Sequence, residues 1–282
     1  MLYEKINLYE YFGLDKCDGA EGFLTVYMPS QSSELRRKLR PSIVVLPGGG
    51  YQFRSDREAE PVAFRFMSAG YAAFVLDYTV QTPFPTPLIE ACMAVAYVRE
   101  NAERLGLDGN VAAIGFSAGG HLAGMLATMF GEKEVKDALG ARAALSRPDA
   151  VIMSYPVVTT DDKLTHAGTR DTISGGDARL ADRLSVEKRV SKDSAPAFIW
   201  HTAADDGVPV ENSLLLASAY RKHNVPFALH IFERGWHGLS LLSDETCDQT
   251  ERDKEIASVS AWSGLALDWL KDRGFYVKPS EA

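Results

Sequence analysis

Residues 111–126, VAAIGFSAGGHLAGML, constrain this chain more than any other stretch. A run of β-branched and small residues (111–114) meets Gly115-Phe116-Ser117-Ala118-Gly119. A helical pattern follows at once, with Leu122, Met125, Leu126 and Met129 on one face. Strand, tight turn and helix in direct succession is the context in which G-x-S-x-G carries chemistry. The glycines let the backbone bend back beside the serine. The helix that starts there aims free N–H groups and a partial positive charge at the serine oxygen. Ser117 is therefore the candidate nucleophile. The competing reading of the bare pentapeptide is a plain strand-to-helix turn made of common residues.

A strand of this kind needs neighbours, and the sequence supplies them. Residues 42–46 (SIVVL), 71–78, 150–155, 198–202 and 227–232 read as strands, the mostly apolar ones suited to the middle of a parallel sheet. Helices are expected at about 60–69, 88–105, 212–223 and 260–273. The first should bury Val62, Phe64, Phe66 and Met67, and the last places Trp262, Leu265, Trp269 and Leu270 on one face. Residues 2–8 and 22–28 alternate as a small antiparallel start, with Asp18-Gly19 available for a turn, and 29–41 reads as a polar, basic loop. Strands alternating with helices predict an α/β fold, a mostly parallel twisted sheet covered on both faces. Ligands of such sheets bind beyond the strands' carboxyl ends. The 282 residues, 46% hydrophobic and 24% charged, suit a single domain over 1–282 with a sizeable core. One segment breaks the alternation. Residues 157–196 are polar, with Gly168, Gly175 and Gly176 and short helical pieces only near 177–184. Their position makes them a cap insertion over the site.

Several classes of function are disfavoured. A net charge of −8 opposes nucleic acid and anionic membranes as partners. Cys17, Cys92 and Cys247 are odd in number and far apart, with neither metal-ligand nor disulfide spacing, which fits a reducing compartment. Cys92 falls on the apolar side of a helix and reads as a buried hydrophobe. The first residues show no signal-peptide pattern, and no apolar run reaches the roughly 18 residues of a membrane span, so a cytoplasmic protein is expected. No metal or cofactor is expected. A homo-oligomer is compatible with the composition.

The second chemical feature is Pro47-Gly48-Gly49-Gly50-Tyr51, at the end of the 42–46 strand. Consecutive glycines leave backbone N–H groups open to a developing oxyanion. Alternatives are a flexible turn or a phosphate loop. The Walker pattern lacks its Lys-Ser/Thr, and G-x-G-x-x-G fails because Phe53 stands at the last glycine position. The charges at Asp56, Arg57, Glu58 and Glu60 read as a solvated helix start.

A serine nucleophile needs a base, and the base an orienting acid. His121 is fixed to the serine's own helix, four residues on, and reads as structural. His201 lies in an apolar strand and reads as core or support. His166 belongs to the cap segment. His237, in Arg234-Gly235-Trp236-His237-Gly238, follows the last strand in a glycine-flanked loop and is the candidate base. The acid should follow the 198–202 strand, where Asp205 and Asp206 stand side by side. Asp205 is favoured, with Asp206 as a helix cap or solvent-facing residue. Tyr51, Tyr78 and Trp236 are candidates for the pocket wall or for plain packing.

Taken together, VVLPGGGY, SDREAEPVA, GFSAGGHLA, HTAADDGVPVENS and GWHGLS resemble the α/β-hydrolase superfamily, and within it small bacterial esterases related to acetylxylan esterases and hormone-sensitive-lipase-like carboxylesterases. The chain order Ser117, Asp205, His237 is the order of that fold. The resemblance implies oxyanion N–H groups on Gly49, Gly50 and Ala118, and a small-molecule ester as substrate. Lipase-type members carry a histidine where Pro47 stands, and their N-terminal helical cap has no counterpart before Pro41. The proline leans toward the sugar-esterase branch, hence short acyl groups, acetyl above all, on carbohydrate; the cap here would be residues 157–196. Amide or peptide hydrolysis on the same residues, and a non-catalytic binding protein, are the alternatives.

Overall fold

The computed structural model describes residues 1–15, 19–30, 38–247 and 256–279. The chain begins with β1 (Leu2–Asn7), α1 (Leu8–Phe12) and β2 (Phe23–Met28), and the two strands pair antiparallel, Leu2 opposite Met28. The sequence reading missed α1. Its five residues are too few to leave a helical period. It is held instead by the Asn7 side chain, which accepts the Glu10 N–H, by Gly13 at φ 67°, and by burial of Leu8, Tyr9 and Phe12. Cys17 and Asp18 lie outside the described residues.

Next come β3 (Lys38–Leu46), α2 (Glu60–Ser68), β4 (Ala72–Asp77), α3 (Thr86–Glu100), α4 (Ala102–Leu105), β5 (Leu107–Phe116) and α5 (Ala118–Met129). β3 starts inside the stretch expected to be a loop, of which residues 31–37 lie outside the described set. Arg40 sits opposite Leu107, and Lys38 and Leu39 pair with residues 278 and 279. Such partners lie too far along the chain for local composition to reveal. The helix expected over 88–105 is divided at Asn101 into α3 and α4.

The chain continues through α6 (Lys133–Leu139), β6 (Ala150–Ser154), α7 (Ala167–Ser174), α8 (Ala178–Arg183), β7 (Ala197–Thr202), α9 (Glu211–Lys222), β8 (Phe227–Phe232), α10 (Trp262–Asp272) and β9 (Lys278–Pro279). The sheet order is β1-β2-β4-β3-β5-β6-β7-β8, with β9 beside β3. From β4 to β8 every pairing is parallel.

Strand alternation divides the core into two layers. On β5, Val111 and Ala113 face one layer, with Leu88 and Val95 of α3 and Leu122 and Met125 of α5. Ala112, Ile114 and Phe116 face the other, with Val62 and Phe66 of α2 and Trp262 and Leu270 of α10. Each large apolar side chain so buried contributes about 1.5–3 kcal/mol. One inward reading fails. Phe64 is 41% exposed and packs edge-on against Tyr27 at 5.5 Å instead, and Leu265, at the rim of its helix face, is 40% exposed. Cys92 is buried on α3, and burial pushes its thiol up to about 12.

Residues 157–196 hold α7, which the sequence reading did not foresee, as well as α8. Their apolar members, Val158, Ile173, Leu184 and Val186 among them, are buried in the α5 layer. A Cβ on Gly124 of α5 would come within 2.8 Å of Val186 Cγ1, so the segment lies hard against the helix that carries Ser117.

Candidate active site

Ser117 has φ 52° and ψ −116°, a region that non-glycine residues avoid. The turn holds because its neighbours have no side chains. A Cβ on Gly115 would lie 1.9 Å from Gly119 O, and one on Gly119 would lie 2.1 Å from Leu46 O. The Ser117 N–H donates to Ser154 O at 3.0 Å, which fixes the end of β5 against β6 and leaves the hydroxyl free to point outward.

That hydroxyl meets His237. Ser117 Oγ and His237 Nε2 are 2.7 Å apart, and His237 Nδ1 and Asp205 Oδ2 are 2.8 Å apart. The Asp205 side chain is fully buried, and its other oxygen accepts the N–H groups of Gly207 and Val208 at 2.9 and 2.8 Å. His201 Nε2 lies 3.1 Å from Asp205 Oδ2 and 3.0 Å from Val208 O. Both are acceptors, so Nε2 carries the proton, and Nδ1 accepts from the Ser213 hydroxyl at 2.8 Å. Burial alone would raise the Asp205 pKa. Hydrogen bonds from His201 and His237, with the His237 charge and the Val208 N–H, outweigh it and hold the carboxyl well below the usual carboxylate range. Asp206 caps no helix; it faces solvent, the second of the two roles expected of it, and accepts the backbone N–H of His237 at 3.3 Å.

The glycine loop closes the other side. Gly49 and Gly50 have φ of 122° and 65°, and a Cβ on Gly49 would come 2.2 Å from Phe53 O. Gly49 O accepts the N–H groups of Gln52 and Phe53, which folds the loop into a turn. Among the described residues, the N–H groups of Gly49, Gly50 and Ala118 meet no acceptor. Tyr51 and Tyr78 do not line the pocket. Both are fully buried beneath the loop, where Tyr51 OH bonds His121 Nδ1 at 3.0 Å and Tyr78 OH donates to Pro47 O at 2.6 Å. Trp236 lines a neighbouring depression that shares Arg57 with the pocket. His121 has the structural role expected of it: Nε2 donates to Leu184 O at 2.9 Å, and burial lowers its pKa to about 4.

Two residues escaped the sequence reading. Glu58, read as part of a solvated helix start, is 3% exposed. Its Oε2 accepts the Gly48 N–H at 2.8 Å and its Oε1 the Tyr155 hydroxyl at 2.6 Å. Burial pushes its carboxyl up, against the pull of these two donors toward the charged form. The signal available was its place in SDREAEPVA, a segment already matched to the family. His166, passed over as part of the cap segment, lines the pocket with Ser117 and His237. Its Nδ1 accepts the Thr169 N–H at 3.2 Å as the N-cap of α7, so its proton belongs on Nε2.

The pocket encloses about 360 Å³ and is also lined by Gly49, Gly50, Phe53 and Arg57. A larger depression of about 590 Å³ on residues 160–188 is lined by Asp161, Asp162, Arg170 and Lys188. There the charges pair with one another, Arg170 with Asp162 and Asp171 and Lys188 with Asp182, and no nucleophile meets a base. Among the described residues no group of His, Cys, Asp or Glu could hold a metal ion, and no helix is long and apolar enough to cross a membrane.

A mostly parallel sheet with helices on both faces, a strained serine between β5 and α5, an acid after β7 and a histidine after β8 define the α/β-hydrolase fold. Residues 24–220 match the BD-FAE family model, and the chain belongs to that family. It is 42% identical over 215 residues to endo-1,4-beta-xylanase B of Butyrivibrio fibrisolvens, covering 73% of this chain and 33% of that one. It is 28% identical over 236 residues to an acetylxylan esterase of Xylanibacter ruminicola, covering 80% of this chain and 45% of that one. The chain thus spans less than half the length of either relative. Among solved structures, the acetyl ester-xyloside bifunctional hydrolase of Caldicellulosiruptor lactoaceticus superposes with a TM-score of 0.76 at 37% identity, covering 90% and 89% of the two chains.

Proposed function

We propose that this chain hydrolyses short-chain carboxylic esters, acetyl groups on carbohydrate above all, through an acyl-enzyme on Ser117. The observation that carries the proposal is the unbroken hydrogen-bond chain from Ser117 Oγ to His237 to Asp205, at 2.7 and 2.8 Å, beside a loop with open N–H groups. His237 Nε2 takes the Ser117 proton as Oγ bonds to the ester carbonyl carbon. The oxyanion formed is stabilised by the N–H groups of Gly49, Gly50 and Ala118. The C–O bond to the alcohol then breaks, and the proton on Nε2 goes to the departing oxygen. Water repeats the sequence: it loses a proton to His237, attacks the acyl carbon and releases the acid, and the proton returns to Ser117. Throughout, Asp205 holds the imidazole in one tautomer and offsets its positive charge.

A pocket of about 360 Å³ favours a small acyl group. The names of the xylan-directed relatives favour a carbohydrate alcohol, as does the Nε2–H of His166, a neutral donor suited to a sugar hydroxyl. On this reading residues 157–196 act as a cap, contributing His166 to the pocket wall. The unpaired Cys92 and Cys247 are in keeping with a reducing, cytoplasmic setting.

Acetate release from acetylated xylooligosaccharides, compared with the Ser117→Ala variant, tests the proposal. A folded wild-type protein that takes no fluorophosphonate label on Ser117 sinks the serine mechanism. Faster turnover of p-nitrophenyl octanoate than of the acetate sinks the short-acyl assignment.

A further inference from the structure

Between the glycine loop and the loop that carries His237 lies a buried carboxylate with no part in the steps above. Glu58 ends the 3-10 turn Asp56–Glu58, ahead of α2. Through Oε2 it holds Gly48, whose backbone leads directly into Gly49 and Gly50, and a Cβ on Gly48 would lie only 2.6 Å from that oxygen. Through Oε1 it holds the Tyr155 hydroxyl, which in turn accepts the Ser240 N–H at 2.9 Å. Ser240 is anchored twice more, its hydroxyl donating to Arg57 O and its carbonyl accepting the Trp262 indole N–H at 2.9 Å. It sits three residues past His237, and the Tyr155 ring packs edge-on against the imidazole at 5.1 Å.

We propose that Glu58 is a positioning residue for the reaction. One carboxylate sets the oxyanion donors on one side and the base on the other, so that both are referenced to the same point. The inference rests on the serine-esterase reading above. The ionised form suits the geometry, since both oxygens accept and a carboxyl proton would find Tyr155 already donating. That negative charge, with Asp205 and Asp206, faces His237, while Arg57, Tyr78, Tyr155 and His166 are further titratable groups around the pair.

Glu58→Gln keeps the shape and removes the charge. Its amide N–H₂ must then face either the Gly48 N–H or the Tyr155 hydroxyl, and one tether loosens. With p-nitrophenyl acetate, kcat is expected to fall about 10- to 100-fold with KM within about threefold, the pattern of a group that matters mainly in the transition state. Tyr155→Phe keeps the ring against His237, frees Oε1 and should show the same kcat loss to a smaller degree. The double variant should fall little below Glu58→Gln, since both act through one chain. A folded Glu58→Gln protein with wild-type kcat overturns the inference, as does one whose loss lies in KM alone. If Glu58→Gln does not fold, a wild-type kcat in Tyr155→Phe does so. A wild-type protein that neither turns over the ester nor takes a fluorophosphonate label fails the esterase reading itself, a result distinct from active variants beside an active wild type.

Discussion

Asp205 and Asp206 hold the same histidine by different atoms. Asp205 takes the His237 ring through Oδ2 at 2.8 Å, whereas Asp206 takes the His237 backbone N–H at 3.3 Å. Only the first contact can fix the imidazole tautomer. Asp205→Asn should lower kcat about 10⁴-fold, because an amide N–H₂ facing Nδ1 favours the tautomer in which Nε2 cannot accept the serine proton. Asp206→Asn keeps an acceptor oxygen for the N–H and should stay within about tenfold. Steady-state kinetics on the two variants checks the assignment, and a reversed order would move the acid role to Asp206.

Gly119→Ala should cost about 3 kcal/mol or more. Its Cβ meets the carbonyl oxygens of Leu46 and Pro47 at 2.1 and 2.5 Å, and backbone atoms cannot swing aside. Gly264→Ala is the opposite case. It lies within α10 with nothing within 4 Å of the added methyl, and should stabilise by about 0.5–1 kcal/mol through helix propensity. Thermal melts of both variants should therefore shift in opposite directions.

His121 ties Tyr51 of the glycine-loop region to Leu184 of the 157–196 segment. Burial holds its folded pKa at about 4, against 6.5 for a free imidazole. The folded state therefore binds fewer protons than the unfolded state below pH 6.5. Its contribution is complete above that pH and is lost as pH falls toward 4, with no further loss below. His121→Gln cannot take up that proton. The variant should be about 1–3 kcal/mol less stable than wild type at pH 7.5, and the gap should narrow by pH 4.5 in urea melts. A gap independent of pH would show that the ring is not held neutral by the fold.

His166→Ala should raise KM for acetylated xylooligosaccharides about 5- to 30-fold, the loss of one substrate hydrogen bond, and leave p-nitrophenyl acetate nearly unchanged. Burial lowers the His166 pKa, with the nearby His237 charge adding to the effect. The selectivity for sugar acetate should hold through the neutral range and weaken in acid, when a protonated Nδ1 can no longer accept the Thr169 N–H. Comparing the two substrates at pH 7.5 and 5 checks both points.

The alternation of strands and helices, the serine turn and the separate segments that carry Ser117, Asp205 and His237 were legible in the sequence because each depends on residues adjacent in the chain. Glycines that permit a sharp turn, apolar runs at strand spacing and a histidine in a glycine-flanked loop are local facts. Other features were decided only in three dimensions. A five-residue helix leaves no period, and an edge pairing such as Lys38 with Pro279 leaves no local mark. Glu58 stands among charged neighbours in the sequence. What makes it buried is the arrival of Gly48 from the end of β3 and Tyr155 from the end of β6. His166 likewise enters the pocket only because the apolar residues of 157–196 dock on α5. Backbone conformation follows from neighbours in sequence. Burial, and the change it makes in what a carboxylate or an imidazole does, follows from neighbours in space.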